Sequence, residues 1–255
     1  MIKGGQRIAT ATGVMLADPN GLGNPPLRAE EALFDPNFWD ARGELAAVSG
    51  GRGAAWFVGS AAVGSAAARP TAHPWVLRHY RRGGLIARIS QDRYIWSGED
   101  RVRAFAEWRL LFYLAQRGLN VPKPVAAFYR RGGLSGLTYR CDLITQRIAH
   151  AQALSAALAS NALAEPVWRA IGAAIAKLHH HGVDHADLNA HNILLDGGKV
   201  SVIDFDRGRL RAPGAWMAGN LARLQRSLAK ITPGLPADRY TPAAWQQLMA
   251  GYQEP

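Results

Sequence analysis

Apolar residues are arranged differently in the two halves of the chain. Up to Arg147 they gather in short runs rich in β-branched and aromatic side chains: Trp56-Phe57-Val58, Trp75-Val76-Leu77, Val125 to Arg130 and Leu137 to Ile144. Runs of this length, set between clusters such as Gly50-Gly51-Arg52-Gly53 and Arg131-Gly132-Gly133, read as strands joined by turns. One helix interrupts them. Between Ser97 and Gly118 an apolar face is built from Val102, Phe105, Leu110, Leu111 and Leu114; Ser97 and Asp100 have capping-box-like spacing, and Gly118 is a C-terminal stop. After Ile148 the sequence turns alanine-rich and the period becomes helical, as in Ile171, Ala174, Ile175 and Leu178. The pattern predicts an α+β chain in two parts. Residues 1–147 form a mainly β part with one long helix, residues 148–255 form a mainly α part, and the hinge lies where the period changes.

The remaining stretches are less regular. Ile8 to Ala17 follows Lys3 and Arg7 and faintly imitates a signal peptide, but Thr10, Thr12 and Gly13 dilute it and Asp18-Pro19 follows at once, so a short strand is expected. Gly21 to Trp39 is an irregular arm pinned by Leu33-Phe34 and Phe38-Trp39, and Val121-Pro122-Lys123-Pro124 is an extended connector. Glu165-Pro166 opens a helix that Gly182 closes, just before Val183-Asp184-His185. Trp216 to Lys230 is amphipathic, with Arg223, Arg226 and Lys230 on its polar side.

The chemistry concentrates between His185 and Asp206. Two β-type runs, Ile193 to Leu195 and Val200 to Ile203, flank Asp196-Gly197-Gly198-Lys199, a turn of the kind that closes a tight hairpin. Such a hairpin holds the polar loops at one end, so that Asp187, Asn192 and Asp204 converge as a base and two oxygen ligands for a hard cation such as Mg²⁺. Taken singly, each would read as a turn former or cap. His185 is expected to be scaffold, and the His179-His180-His181 run lacks the i, i+4 geometry of a metal pair.

These residues resemble the catalytic core of protein-kinase-like phosphotransferases, with Asp187 and Asn192 on the spacing of the H-x-D-x-x-x-x-N loop and Asp204-Phe205 opening the D-F-G loop, where Asp206 replaces Gly. The resemblance implies a two-lobed fold in which Asp187 takes the acceptor proton while Asn192 and Asp204 hold Mg²⁺ on ATP. It also assigns Gly51 and Gly53 to the phosphate loop, although Trp56 stands at its third glycine position. Arg78 occupies the place of the usual strand lysine, Glu107 is the helix acid expected to pair with it, and the amides after the second hairpin strand meet adenine. No A-P-E motif follows Asp206, and the remainder is too short for a full activation segment. That points to small-molecule kinases.

Charge narrows the acceptor. The chain carries 30 Lys plus Arg against 19 Asp plus Glu, a formal net charge of +11 in 255 residues. Such a balance favours phosphorylated or otherwise anionic partners and disfavours cationic ones such as aminoglycosides. A nucleic-acid-binding domain would explain the charge but not the motifs. The lone Cys141 rules out an intramolecular disulfide, and no apolar run reaches the length of a membrane span.

Several stretches together resemble the 3-deoxy-D-manno-octulosonic acid (Kdo) kinases of lipopolysaccharide assembly: Leu33-Phe34-Asp35-Pro36, Gly51-Arg52-Gly53, Val76 to Gly84, Tyr94-Ile95-Trp96, Asp187 to Leu194 and Ile203 to Arg207. Within that family Arg78 and Asp206 are not anomalous. The resemblance implies phosphorylation of the Kdo 4-hydroxyl on a Kdo-lipid A precursor, at the cytoplasmic face of the inner membrane, with peripheral contact to an anionic surface. Arg81, Arg82, Arg88 and Arg93 are the residues expected to hold the anionic headgroup. A heptose or other small-molecule kinase, and a nucleotide-binding pseudokinase scaffold favoured by Arg78, are the alternatives.

Overall fold

The computed structural model describes residues 4–22, 30–47, 54–59, 74–81, 92–133 and 136–254. It divides into two compact units, Met1–Tyr113 with Lys123–Arg147, and Leu114–Pro122 with Ile148–Pro255. Leu114–Pro122, which the linear pattern places with the β part, groups instead with the α part. One contact behind this grouping is a main-chain bond: Val202 N–H donates to the Asn120 carbonyl at 3.2 Å.

The first unit is an antiparallel sheet carrying one long helix. Its elements are β1 (Gln6–Ala9), β2 (Val14–Ala17), a short helix α1 (Pro36–Asp40), β3 (Leu45–Ala47), β4 (Ala54–Val58), β5 (Trp75–His79), β6 (Tyr94–Ile95), all but the last two residues of α2 (Arg103–Ala115), β7 (Pro124–Gly132) and β8 (Thr138–Gln146). The strand order is β1-β2-β7-β8-β5-β4-β3, with β6 pairing β8. Ile8 to Ala17 is therefore a hairpin rather than one strand: Ile8 pairs Met15, and Thr10 N–H closes the turn onto the Gly13 carbonyl.

Alternation along β5 divides the work of the sheet. Trp75 and Leu77 enter a core with Met15, Leu33, Phe34, Trp39, Phe128 and Ile144, where the N-terminal arm covers that face. Phe34 stacks on Phe128 at 5.2 Å, and the Trp39 indole N–H reaches the Leu33 carbonyl at 2.9 Å. Arg78, out of step with that set, turns to α2. The helix itself starts later than Ser97. Gly98 sits at φ 107, a 3-10 turn spans Glu99–Arg101, and the carboxylates that could have capped are engaged elsewhere: Glu99 by Arg7 at 2.9 and 3.0 Å, Asp100 by Arg109 at 3.0 Å.

The second unit contains β9 (Gln152–Ala153), α3 (Leu154–Ser160), α4 (Glu165–His180), β10 (Val183–Asp184), β11 (Ile193–Asp196), β12 (Lys199–Val202), β13 (Arg209–Leu210), α5 (Trp216–Ile231) and α6 (Pro242–Gln253). Helix α4 buries Ile171, Ile175 and Leu178, and Gly182, at φ 72, ends it so that the chain enters β10 directly. Helices α4 and α6 cross on glycines. A Cβ at Gly172 would lie 1.9 Å from the Leu248 carbonyl oxygen, and one at Gly251 would lie 2.1 Å from that of Arg169.

Candidate active site

Strands β11 and β12 form the expected hairpin, with Ile193 opposite Val202 and Asp196 opposite Lys199. Its two-residue turn needs positive φ at both positions, and Gly197 and Gly198 supply 50° and 91° without a Cβ penalty. The pairing continues past the strands, because Ile203 N–H donates to the Asn192 carbonyl at 2.9 Å. Consequently the loop ending in Asn192 and the loop opening at Asp204 leave the hairpin side by side.

Side chains then fix the first loop. Asn192 Nδ2 donates to the Asp187 carbonyl at 2.9 Å, and Asn189 Nδ2 donates to the same carbonyl and to Asp187 Oδ2 at 3.0 and 3.1 Å. The Asp187 carboxylate stays 59% exposed. Because Nδ2 of Asn192 is committed to the main chain, Oδ1 is the atom that could serve as a ligand. Asp204 adopts φ 64, a left-handed conformation that costs a non-glycine residue free energy and is typical of functional sites. One amide oxygen and one carboxylate fit Mg²⁺, which takes few protein ligands and completes its shell with phosphate and water oxygens.

His185 ties the two loops together. It is 1% exposed, packs at a 60° tilt against Phe205 with ring centroids 4.8 Å apart, and lies with Nε2 3.0 Å from the Ile203 carbonyl, while Nδ1 accepts the Asp187 N–H at 3.2 Å. Only the neutral Nε2–H tautomer satisfies both contacts. Burial pushes its pKa below the ordinary value, against a smaller opposing effect from the Ile203 carbonyl. The scaffold reading of this histidine holds.

In the β-sheet unit, Arg78 forms an ion pair with Glu107, which is 3% exposed. Tyr80 shares in the pairing: its hydroxyl donates to Glu107 at 2.5 Å, accepts from Arg78 at 2.8 Å, and its ring lies under the guanidinium at 4.6 Å. Arg78 is thereby oriented by an acid, a hydroxyl and a ring. Arg81 and Arg93 are exposed. Arg93 lines a recess of about 70 Å³ with Arg130, Arg131 and Arg140. Gly51, Gly53, Arg82 and Arg88 lie outside the described residues.

Several contributors escape a reading of the sequence. Tyr80 is one, although an aromatic two residues beyond a strand cation points to the same face. Asn220 is another: its Oδ1 accepts the His185 N–H at 3.0 Å and its Nδ2 donates to Asp184 at 3.1 Å, and Arg211 holds the other Asp184 oxygen at 3.0 Å. No local motif marks it.

An antiparallel sheet with a buried helix acid on a strand arginine, and a helical unit presenting Asp187, Asn192 and Asp204 from one hairpin, define a protein-kinase-like phosphotransferase. A solved structure described as WaaP in complex with acyl carrier protein shares the fold, with a TM-score of 0.54 over 94% of this chain and 89% of that chain at 17% identity. The chain belongs to the lipopolysaccharide kinase (Kdo/WaaP) family, whose model matches residues 36–252. It is 46% identical over 206 residues to a 3-deoxy-D-manno-octulosonic acid kinase of Stenotrophomonas maltophilia (strain K279a), covering 80% of this chain and 77% of that protein. A protein of the same description from Xylella fastidiosa (strain 9a5c) is 47% identical over the same coverage.

Proposed function

We propose that the chain transfers the γ-phosphoryl group of ATP to the 4-hydroxyl of Kdo on a Kdo-lipid A precursor. The observation that carries this reading is the paired-loop arrangement of Asp187, Asn192 and Asp204 in a chain 46% identical to a Kdo kinase over most of its length. In this reading Asp187 orients the 4-hydroxyl and accepts its proton as the oxygen attacks phosphorus and ADP departs. Arg78, held by Glu107 and Tyr80, grips α- and β-phosphate oxygens with its fork of donors. Asn192 and Asp204 hold Mg²⁺, which when bound offsets charge on the phosphates. The phosphate-loop role is assigned to Gly51 and Gly53, where the lack of a Cβ would let backbone N–H groups reach phosphate oxygens.

Acceptor binding is assigned to Arg81, Arg82, Arg88 and Arg93. Each Lys or Arg near an anionic bilayer contributes about 1 kcal/mol, which supports peripheral attachment to the cytoplasmic face of the inner membrane. Among the described residues no helix is long and apolar enough to cross a membrane.

The test is turnover of ATP with Mg²⁺ and Kdo-bearing lipid A precursor, with the phosphate located by mass spectrometry. Phosphate at the Kdo 4-position, lost roughly a hundredfold or more in Asp187→Ala, is the expected result. Nucleotide binding without transfer would support a pseudokinase scaffold, and transfer only to heptose would support the other kinase reading.

A further inference from the structure

Helix α5 carries a polar stripe, Asn220, Arg223 and Ser227, that runs along the catalytic loop. Asn220 accepts the His185 N–H at 3.0 Å, and Ser227 Oγ accepts the Ala190 N–H at 3.1 Å. Between them, Arg223 reaches Asp187, with a guanidinium nitrogen 3.5 Å from Oδ1. The two outer contacts satisfy main-chain donors of the loop, and Leu221, Leu224 and Leu228 bury the adjoining face of the helix. They fix the distance between α5 and the loop. The middle contact is of another kind, because the Arg223 and Asp187 side chains are 48% and 59% exposed.

An ion pair that open to water adds little to folding, and its partner can be exchanged at small cost. Asp187 must in any case turn to the acceptor hydroxyl during reaction. Asn189, two residues further along the loop, is neutral, so the loop itself supplies no cation there. Resting on the Kdo reading above, we propose that Arg223 binds the carboxylate of the acceptor sugar and thereby selects a sugar acid over a neutral sugar. In Kdo the carboxylate hangs on ring carbon 2 and the reacting hydroxyl on carbon 4, with only the deoxy carbon 3 between them. A carboxylate base and a guanidinium within reach of one another can therefore take one group each from a single ring. In the acceptor complex Arg223 leaves Asp187 for the sugar carboxylate, and the hydroxyl takes the place of Arg223 on Asp187. Two-point binding of this kind fixes which hydroxyl faces phosphorus.

The experiment is a cycle on protein and substrate. Wild type and Arg223→Gln are each assayed with the Kdo-lipid A precursor and with its Kdo methyl ester, and kcat and KM are measured for ATP and for the acceptor. Removing one member of a charge-assisted contact is expected to lower acceptor kcat/KM roughly 10- to 100-fold. Esterification should therefore penalise wild type by that factor, the variant should show the same loss on the free acid, and esterification should then cost the variant little more. KM for ATP should stay constant, and Arg223→Lys, which keeps the charge but not the fork, should recover part of the loss. Equal penalties for the ester in wild type and variant would overturn the proposal, and so would a wild type indifferent to the ester. Absence of any Kdo phosphate from wild type on the free acid would instead overturn the Kdo reading, and this inference with it.

Discussion

Glu107 is the residue whose replacement best tests how Arg78 is held in the β-sheet unit and whether it serves ATP. One of its oxygens receives both the Arg78 guanidinium and the Tyr80 hydroxyl, in a position only 3% exposed. Glu107→Ala removes the charge that Glu107 sets against Arg78, whose side chain is 23% exposed. Breaking a buried pair from one side costs about 3–5 kcal/mol. Glu107→Gln is milder, since its carbonyl oxygen can still accept both donors; exchanging hydrogen bonds to a charged group for neutral ones costs about 1–2 kcal/mol. At about 2–4 °C per kcal/mol for a chain of this size, the alanine variant should melt about 6–20 °C lower and the glutamine variant about 2–8 °C lower.

Function should separate from stability. Both variants remove the charge that orients Arg78, so KM for ATP should rise more than KM for the acceptor, and more in Glu107→Ala than in Glu107→Gln, where one oxygen can still accept from Arg78. A double replacement, Arg78→Met with Glu107→Leu, removes both charges and should recover much of the stability, because the desolvation cost of the pair goes with it. It should still bind ATP poorly. Thermal unfolding followed by circular dichroism, with ATP and acceptor titrations, checks all three variants. Unchanged melting and unchanged KM for ATP in Glu107→Ala would refute the view that Glu107 holds Arg78 for phosphate.

Two further expectations rest on other parts of the fold. Gly172→Ala drives a methyl group into the Leu248 carbonyl oxygen at the α4–α6 crossing and should destabilise by about 1–3 kcal/mol despite better helix propensity. Gly219→Ala in α5 meets nothing within 4 Å and should stabilise by up to about 1 kcal/mol; urea unfolding of both variants checks the contrast. His185 is neutral when folded, with its pKa depressed from 6.5 by burial. As pH falls through 6.5 the unfolded chain takes up a proton that the folded chain refuses, so the stability this group contributes is complete above 6.5 and is lost below it. Unfolding at pH 7 and pH 5 should therefore show a smaller acid loss in His185→Gln than in wild type, and equal losses would refute the assignment.

Legibility in the sequence followed the range of the contacts. The β11–β12 hairpin could be read because its turn, its strands and both loops lie within one short segment, where the period-2 pattern and Asp-Gly-Gly-Lys act locally. The Arg78–Glu107 pairing was also accessible, since a strand cation and an acid on the next helix can be matched by pattern. The start of α2 was not, because Ser97 competes with Gly98 and with acids that find tertiary partners. Nor was the grouping of Leu114–Pro122, which involves a hydrogen bond to β12. Arg223 was visible only as one of several cations on an amphipathic helix. Its contact with Asp187 spans 36 positions of chain that no periodicity encodes.

Asn220 shows why such long-range contacts still obey a chemical rule. Its position must accept from the His185 N–H and donate to Asp184 at once. Among the short polar side chains an amide carries both a fixed acceptor and a fixed donor. An aspartate of the same shape could accept from His185 but would set a second carboxylate against Asp184, which is itself 9% exposed. Arg211 already supplies one cation to Asp184 at 3.0 Å, so the remaining oxygen needs a neutral donor rather than more charge. The amide at position 220 thus follows from the acid at 184 and the backbone donor at 185. The three together fix the chain where the loop that carries Asp187 begins.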